Sequence, residues 1–231
     1  MAFSITSYTF SKDLTEVNLN KLNEFYENNP KPKEITKIVK EIELLGNNYK
    51  VFEVAKLFSE QFTFYEIEDN RIIAKEKEVD IWKKSLVYIN ANLKTIYLIG
   101  QNSWPINLIS GILFDDTNEI QPKQIDIKNI ENDIRNKNKF TFNGTSFEDR
   151  EGTKVSVSNP SGIKIESNRY LKGNESTEKK NLKILIEKDD KNFNVTLYPS
   201  GKITFGGRVA DYQTALIIFI KVYDEIKNYI L

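Results

Sequence analysis

The chain has 231 residues, of which 39% are hydrophobic and 29% charged, with 33 basic and 33 acidic side chains. A chain of this length and apolar content can bury its own core and is too hydrophobic to be disordered. It contains no cysteine and no histidine, which excludes disulfides, Cys/His zinc sites, thiol nucleophiles and histidine bases. Carboxylate chemistry, or binding without catalysis, remains.

The chain shows no targeting or membrane signal. Its first residues, MAFSITSYTFSKD, lack the basic and apolar regions of a signal peptide. The longest apolar run, Ala215 to Ile220, is far too short to span a membrane. We therefore expect a cytoplasmic protein with no membrane partner. Residues 162–231 carry 12 basic and 9 acidic side chains, which permits a polyanion site, although an ordinary solvated surface is the simpler explanation.

The amino-terminal part predicts a strand, a helix and a hairpin. Phe3 to Phe10 is typical of a strand. The segment from Pro32 to Gly46 has apolar residues at helical spacing and a glycine stop, and so predicts an amphipathic helix. These apolar residues are Ile35, Ile38, Val39, Ile42 and Leu45. A strand is expected at Tyr49–Val54, followed by a hairpin of Phe62–Glu68 and Arg71–Lys75 that turns through Asp69-Asn70.

A unit of strand, turn, strand and helix then occurs twice. The first consists of Leu86–Asn90, Lys94–Ile99 and Trp104–Phe114, and the second of Val195–Tyr198, Lys202–Phe205 and Tyr212–Tyr229. Lys94 and Lys202 occupy like positions after the two turns. An internal duplication explains the recurrence, and so does independent use of a common α+β building block. We place the boundary near residue 120, which divides the chain into residues 1–120 and 121–231.

The region between the two units is mostly polar. Ile127, Ile130 and Ile134 predict a short helix, a strand is expected at Lys139–Phe147, and residues 148–181 are rich in turn formers. The carboxylates of Glu148, Asp149 and Glu151 are candidate ligands for a hard cation. Their spacing fits no calcium loop, so we assign no metal, no cofactor and no catalytic residue.

Each predicted hairpin has one apolar and one polar face, because side chains alternate along a strand. The apolar sets are Val87, Ile89, Ile96 and Leu98 in the first hairpin, and Val195, Leu197, Ile203 and Phe205 in the second. The opposite sets are Tyr88, Asn90, Thr95 and Tyr97 in the first hairpin, and Thr196, Tyr198, Lys202 and Thr204 in the second. With helices on one side only, the polar sets form an open face, and Leu197 and Phe205 are buried beneath the last helix.

Such an open face suits nucleic acid, since aromatic rings stack on bases and lysines meet phosphates. The candidate phosphate ligands are Lys94, Lys202 and Arg208, and the candidate stacking groups are Tyr88, Tyr97 and Tyr198. Thr196 and Thr204 complete the candidate site. The alternative is that tyrosine and threonine stand there because they have high strand propensity.

The stretch NFNVTLYPSGKITFGGRVADYQTALIIFIKVYDEI resembles one repeat of the TATA-box-binding protein superfamily over about 35 residues. Two strands joined by Ser200-Gly201-Lys202 lead to Gly207 and a long helix, as in that family. The resemblance implies a curved antiparallel sheet with an open concave face, on which Thr196, Tyr198, Lys202, Thr204 and Gly206 face the nucleic acid. Tyr198 stands where the family often has a phenylalanine wedge, and Gly206 where it often has threonine. Both departures weaken minor-groove kinking.

The sequence therefore predicts an α+β fold: a mainly antiparallel, curved sheet with helices on one face and two related halves. The favoured function is non-enzymatic nucleic-acid binding by the open face. The alternative is a protein-interaction or inhibitory module, such as a phage or bacterial defence component, that uses the same tyrosine-rich face. A hydrolase based on carboxylates is the third hypothesis.

Overall fold

The computed structural model describes residues 3–27, 33–68, 71–100, 103–114, 119–137, 140–148, 153–158, 178–188, 191–206 and 211–231. The strands within these ranges are Phe3–Thr9 (β1), Glu34–Leu44 (β2), Asn47–Glu68 (β3), Arg71–Asn90 (β4), Thr95–Ile99 (β5), Gln121–Pro122 (β6), Thr141–Glu148 (β7), Lys154–Ser158 (β8), Lys179–Lys188 (β9), Lys191–Leu197 (β10) and Lys202–Phe205 (β11). The α-helices are Glu16–Glu27 (α1), Trp104–Phe114 (α2), Ile127–Lys137 (α3) and Tyr212–Ile226 (α4), and a 3-10 turn at Lys227–Tyr229 follows α4.

All these strands belong to one antiparallel sheet, which confirms the α+β class. Its order is β2-β3-β4-β5-β1-β11-β10-β9-β7-β8, and β6 pairs with β1. The first strand of the chain lies in the middle, paired with β5 on one edge and with β11 on the other. β1 thus joins the amino-terminal strands to the carboxy-terminal ones in a continuous sheet. The division at residue 120 and the relation between the two halves stay predictions.

Helices cover both faces of this sheet, so the expectation that helices lie on one face is wrong. On one face, α1 and α2 pack over β3, β4 and β5 through Leu22 and Ile109. On the other face, α3 and α4 pack over the middle of the sheet and the carboxy-terminal strands through Ile130 and Phe219. The reason is that β4 and β5 carry large hydrophobic side chains on both faces, and each apolar face must be covered.

The predicted helix between Pro32 and Gly46 is also wrong, because Glu34–Leu44 is β2, paired with β3. Its β-branched residues favour a strand. The apparent helical spacing arises from a β-bulge at Val39, where the register shifts between Ile38 and Lys40. An extra residue exchanges the faces of the strand beyond it. Ile38 therefore packs on the α1 and α2 side, while Ile42 and Leu44 pack on the α3 and α4 side.

The two strands predicted on either side of Asp69-Asn70 do form a hairpin, with Glu68 opposite Arg71. The turn residues Asp69 and Asn70 lie outside the described ranges. The hairpin is much longer than expected, because β3 and β4 stay paired from Lys50 to the turn. β2 pairs with β3 only as far as Lys56, and β5 pairs with β4 only from Leu86 onwards. Residues 58–68 and 71–81 therefore form a two-stranded ribbon beyond the body of the sheet, which we call the arm.

The carboxy-terminal hairpin is confirmed in its predicted register, with Val195 opposite Phe205 and Leu197 opposite Ile203. Leu197 and Phe205 are buried, and the ring of Phe205 lies 6.4 Å from that of Phe219 in α4. The side chain of Asp211 caps α4 by accepting a hydrogen bond from the Thr214 backbone N–H at 2.8 Å.

Most of the remaining predicted elements are confirmed. The first predicted strand, the hairpin of β4 and β5, and helices α2 and α3 lie where they were expected. The strand predicted at Lys139–Phe147 is β7. Residues 148–181 contain β8 and the start of β9, while residues 159–177 lie outside the described ranges. In the described part of the chain, no helix has the length and apolar character to cross a membrane.

Candidate nucleic-acid interface

The structure does not place the two predicted aromatic faces on one open surface. Tyr88, Asn90, Thr95 and Tyr97 are all buried, and each has at most 6% of its surface exposed. The ring of Tyr97 lies edge-on against Phe219 of α4, with centroids 5.2 Å apart, and 5.8 Å from the ring of Tyr49. The expectation that Tyr88 and Tyr97 stand on an open face is therefore wrong, and neither ring is accessible to a base.

Tyr88 and Tyr97 are part of the hydrophobic core. Burial raises the pKa of Tyr88 to about 12, because the ionised phenolate is poorly solvated there. Burial likewise raises the pKa of Tyr97. The neighbouring Lys123 ammonium lies 5.6 Å from the ring centroid of Tyr223, and burial lowers its pKa. Tyr88 and Tyr97 thus belong to the core that packs beneath α4 and are not presented to a ligand.

Lys94 has a local structural role. Its backbone adopts a left-handed φ of 49° in the turn between β4 and β5. Its ammonium lies 2.8 Å from a carboxylate oxygen of Asp13 and donates a hydrogen bond to the Ser11 carbonyl at 2.7 Å. The hydrogen bond and the positive charge of the Lys94 ammonium lower the pKa of Asp13. Lys94 is thus already paired, and Arg208, another candidate phosphate ligand, lies outside the described residues.

An uncovered surface does exist on the carboxy-terminal half of the sheet, on the side opposite α3 and α4. We call it the polar face. Strand register places the following side chains on it: Ser4, Thr6, Ser146, Asn181, Lys183, Asn194, Thr196, Tyr198, Lys202 and Thr204. Ser4, Thr6 and Ser146 are buried, and the other seven are at least partly exposed. The α1 and α2 helices lie on the same side of the sheet but pack over β3 to β5. Four of the predicted site residues therefore share one surface, namely Thr196, Tyr198, Lys202 and Thr204.

Hydrogen bonds order the polar face. The hydroxyls of Ser4 and Thr204 are 2.8 Å apart. The Asn181 amide donates to the Ser146 hydroxyl at 2.6 Å, between the neighbouring strands β9 and β7. The Asn143 side-chain amide donates to the side-chain oxygen of Asn194 at 2.7 Å, from β7 to β10 across β9. These bonds hold donors and acceptors in fixed positions on the polar face.

The strongest local feature of the polar face is the pair Tyr198 and Lys202, which stand opposite each other where the hairpin turns. The Tyr198 backbone N–H donates to the Lys202 carbonyl at 3.0 Å. The Lys202 ammonium lies 5.3 Å from the centroid of the Tyr198 ring. Such a contact on a half-exposed surface is worth only about 0.5–1 kcal/mol. Both the ring and the cation are therefore available to a ligand at small cost.

The charge of the polar face is modestly positive. Lys183 and Lys202 are its cationic members, and it contains no carboxylate among the residues that define it. The nearest acidic residues on the same side, Glu148 and Glu187, lie beyond Ser146 and Leu185 towards the strand ends. Among the residues that define the polar face, two cations are therefore available to attract a polyanion.

Six members of the polar face were not predicted from the sequence, namely Ser4, Thr6, Ser146, Asn181, Lys183 and Asn194. In β9, the buried residues Leu182, Ile184 and Ile186 alternate with Asn181, Lys183 and Leu185. The alternation that identified Thr196 and Thr204 was therefore present in β9 as well. The intervening polar region, residues 148–181, hid the start of this strand.

The candidate cation ligands are not assembled in the described part of the chain. Glu148 is exposed and lies 3.9 Å from the ammonium of Lys180. Asp149 and Glu151 lie outside the described residues. Among the residues that are described, no group of three or more acidic side chains could hold a metal ion.

No known protein family matches this chain, and no curated protein matches it either. The resemblance to the TATA-box-binding protein superfamily stays a prediction carried by the residues of β10, β11 and α4.

Proposed function

We propose that the protein is a non-enzymatic nucleic-acid-binding protein and that the polar face is its binding surface. The observation that carries the proposal is the Tyr198 and Lys202 pair on a sheet surface that the described helices leave uncovered. An exposed ring can stack on a base of any sequence, and a neighbouring ammonium can pair with the adjacent phosphate. The Asn, Ser and Thr side chains around them supply further hydrogen bonds.

Binding through this surface is weak and moderately dependent on salt. Two lysines that each neutralise one phosphate give a slope of about −2 in log K against log salt concentration. The aromatic contribution comes from Tyr198 alone, because Tyr88 and Tyr97 are buried. The ligand is therefore a short stretch of nucleic acid held by stacking and a few phosphates.

The alternative, a protein-interaction module on the tyrosine-rich face, loses most of its surface for the same reason. With Tyr88 and Tyr97 beneath α4, Tyr198 is the remaining tyrosine of that predicted face. Nucleic-acid binding needs only one ring with a cation beside it, and the polar face retains both.

Fluorescence polarisation with short single- and double-stranded DNA and RNA tests the proposal. Tyr198→Ala should weaken binding by about 1–3 kcal/mol if a base stacks on the ring. Lys202→Ala should weaken binding to all sequences alike and reduce the salt slope by about 1. Lys94→Ala is the matched control: it also removes a lysine after a hairpin turn, but from a site outside the polar face, and should leave binding unchanged. Absence of binding to every probe at low salt would refute the proposal.

A further inference from the structure

Three side chains of the polar face form a row along β10 and the turn that follows it. Asn194, Thr196 and Tyr198 alternate with the buried Val195 and Leu197, so they point to the same side of the sheet. Asn194 is exposed, and Thr196 and Tyr198 are half-exposed. Each lies two residues from the next, which places them about 6.7 Å apart at the usual rise of a strand. We call these three residues the β10 row.

The spacing of the β10 row suits nucleotides that are not stacked on each other. In a duplex, the bases of one strand follow each other at about 3.4 Å. This is about half of the separation between members of the row, so stacked bases cannot each meet one side chain. A strand with separated bases can place one base on each member. An aromatic side chain that stacks on a base keeps it apart from its neighbour, and Tyr198 supplies such a ring.

Lysines flank the β10 row on both sides. Lys202 in β11 lies beside Tyr198, with its ammonium 5.3 Å from the ring centroid. Lys183 in β9 stands opposite Thr196. Towards the other end of the row the charge reverses, because Glu187 follows on the same side of β9, and a carboxylate repels phosphates. A strand that follows the row therefore passes between two cations and leaves the attractive surface beyond the third member.

The third member, Asn194, presents hydrogen-bonding groups that suit the edge of a base. The Asn143 side-chain amide donates to the side-chain oxygen of Asn194 at 2.7 Å. Within the described part of the chain this is the hydrogen bond that engages the two side chains, which leaves the Asn194 amino group and the Asn143 oxygen available. If both amides are turned over, one amino group and one oxygen stay available as well. The Watson–Crick edge of a base also combines donors with acceptors, and it is accessible only where the base is unpaired.

The composition of the polar face argues against a duplex as the ligand. A sheet that binds duplex DNA through the minor groove inserts apolar wedges between base steps. The residues that define the polar face are serines, threonines, asparagines, lysines and one tyrosine, and Leu185 beside them is half-buried. In a duplex, stacking and pairing cover the faces and the Watson–Crick edges of the bases. Neither Tyr198 nor Asn194 would then reach the groups that it suits.

We infer that the ligand of the polar face is single-stranded nucleic acid, which lies along β10 with its bases towards the sheet. This inference rests on the proposed function and names the form of nucleic acid that is bound. Tyr198 stacks on one base, Lys202 and Lys183 meet the neighbouring phosphates, and Asn194 donates to or accepts from the edge of a base further along the strand. Asn194 is therefore the residue that determines base preference.

Fluorescence polarisation at low salt tests this inference separately from the proposed function. One probe is a single strand of about ten nucleotides. The other pairs the same sequence with its complement and is closed at both ends by ethylene glycol linkers, so that no base is unpaired. The single strand should bind at least about tenfold more tightly than the closed duplex, as expected for the loss of a stacked base. DNA and RNA probes are compared in separate series, and the tighter single strand identifies the sugar.

Two contrary results have different meanings. A smaller difference between single strand and closed duplex in both series would overturn the inference, while the polar face would stay a nucleic-acid-binding surface. Absence of binding to every probe would overturn the proposed function as well.

Asn194→Ala tests the base contact with single-stranded oligo-A, oligo-C and oligo-T. The wild-type affinities for these three probes should differ, and Asn194→Ala should change their ratios by at least about fivefold. Lys202→Ala should weaken all three alike and keep the ratios. Asn107→Ala is the matched control, since it removes an exposed asparagine of α2 outside the polar face, and it should leave all three affinities unchanged. If the ratios in Asn194→Ala equal those of the wild type, Asn194 does not determine base preference.

Discussion

The ring of Tyr97 in β5 lies edge-on against the ring of Phe219 in α4, with centroids 5.2 Å apart. This contact joins an amino-terminal strand to the carboxy-terminal helix. It also decides which of the predicted aromatic side chains a ligand can reach, because α4 covers Tyr97 and leaves Tyr198 half-exposed. The interface between the helix and the sheet is therefore central to both stability and function.

Replacing Phe219 by alanine should strongly destabilise the protein. The side chain is fully buried and contacts the rings of Tyr97, Phe205 and Tyr223. The resulting cavity should lower the free energy of unfolding by about 3–5 kcal/mol. Chemical denaturation measures the change, and Tyr65→Ala on the exposed side of the arm should alter it by no more than about 0.5 kcal/mol. Equal midpoints for Phe219→Ala and the wild type would contradict the packing described here.

Deletion of Val39 tests the bulge in β2. Removal of the extra residue would leave Ile38 opposite Phe52 and Lys40 opposite Val51 in a regular ladder, so Ile42 and Leu44 would keep their faces. The deletion should therefore change the unfolding free energy by no more than about 1 kcal/mol. Insertion of an alanine between Lys40 and Glu41 would instead turn Ile42 and Leu44 to the opposite face and should cost at least about 2 kcal/mol through loss of their burial. Equal effects of the deletion and the insertion on chemical denaturation would contradict a bulge at Val39.

Alanine substitution at two glycines with similar backbone conformations distinguishes the cost of backbone strain from the cost of steric overlap. Gly201 has a φ of 78° and Gly46 a φ of 76°. A Cβ at Gly201 would lie 1.8 Å from the Lys123 carbonyl oxygen, whereas a Cβ at Gly46 meets nothing within 4 Å. Gly46→Ala should therefore cost about 1–2 kcal/mol from strain alone. Gly201→Ala should cost about 1–3 kcal/mol more, because the backbone of Lys123 must move. Similar thermal midpoints for the two variants would disprove the close approach of these segments.

Stability should fall in alkali as the buried tyrosines ionise. The pKa of Tyr88 is about 12 in the folded protein, above its ordinary value of 10.0. Because the neutral phenol is the form that the fold favours, its contribution to stability is complete below pH 10 and is lost as pH rises through about 12. Tyrosinate absorbance and circular dichroism recorded together should therefore change together in this range.

The Tyr88→Phe variant provides the matched test of that pH dependence. It removes the ionisable hydroxyl and keeps the ring, so part of the alkaline loss of stability should disappear. Tyr65→Phe removes an exposed hydroxyl and should leave the alkaline transition where it is. If the transition is the same in Tyr88→Phe and in the wild type, Tyr88 does not contribute to it.

The sequence alone determined the elements whose patterns are local. Alternation in Val195–Tyr198 and Lys202–Phe205, with a turn between them, fixed the hairpin and its register, since a shift of one residue would expose Leu197 and Phe205. The absence of cysteine and histidine excluded whole classes of chemistry without any structure. These features depend on a few neighbouring residues, so they can be read from the chain.

Tertiary structure decided which faces are covered. Alternation shows that Tyr88 and Tyr97 share a face, but burial of that face depends on where α4, more than a hundred residues away, returns to the sheet. The bulge at Val39 is likewise defined only by the pairing of β2 with β3. In the sequence alone, the extra residue gives the apolar positions of this strand a helix-like spacing. The length of the arm was also hidden, because its strands extend past their neighbours, and only the complete sheet shows where neighbouring strands end.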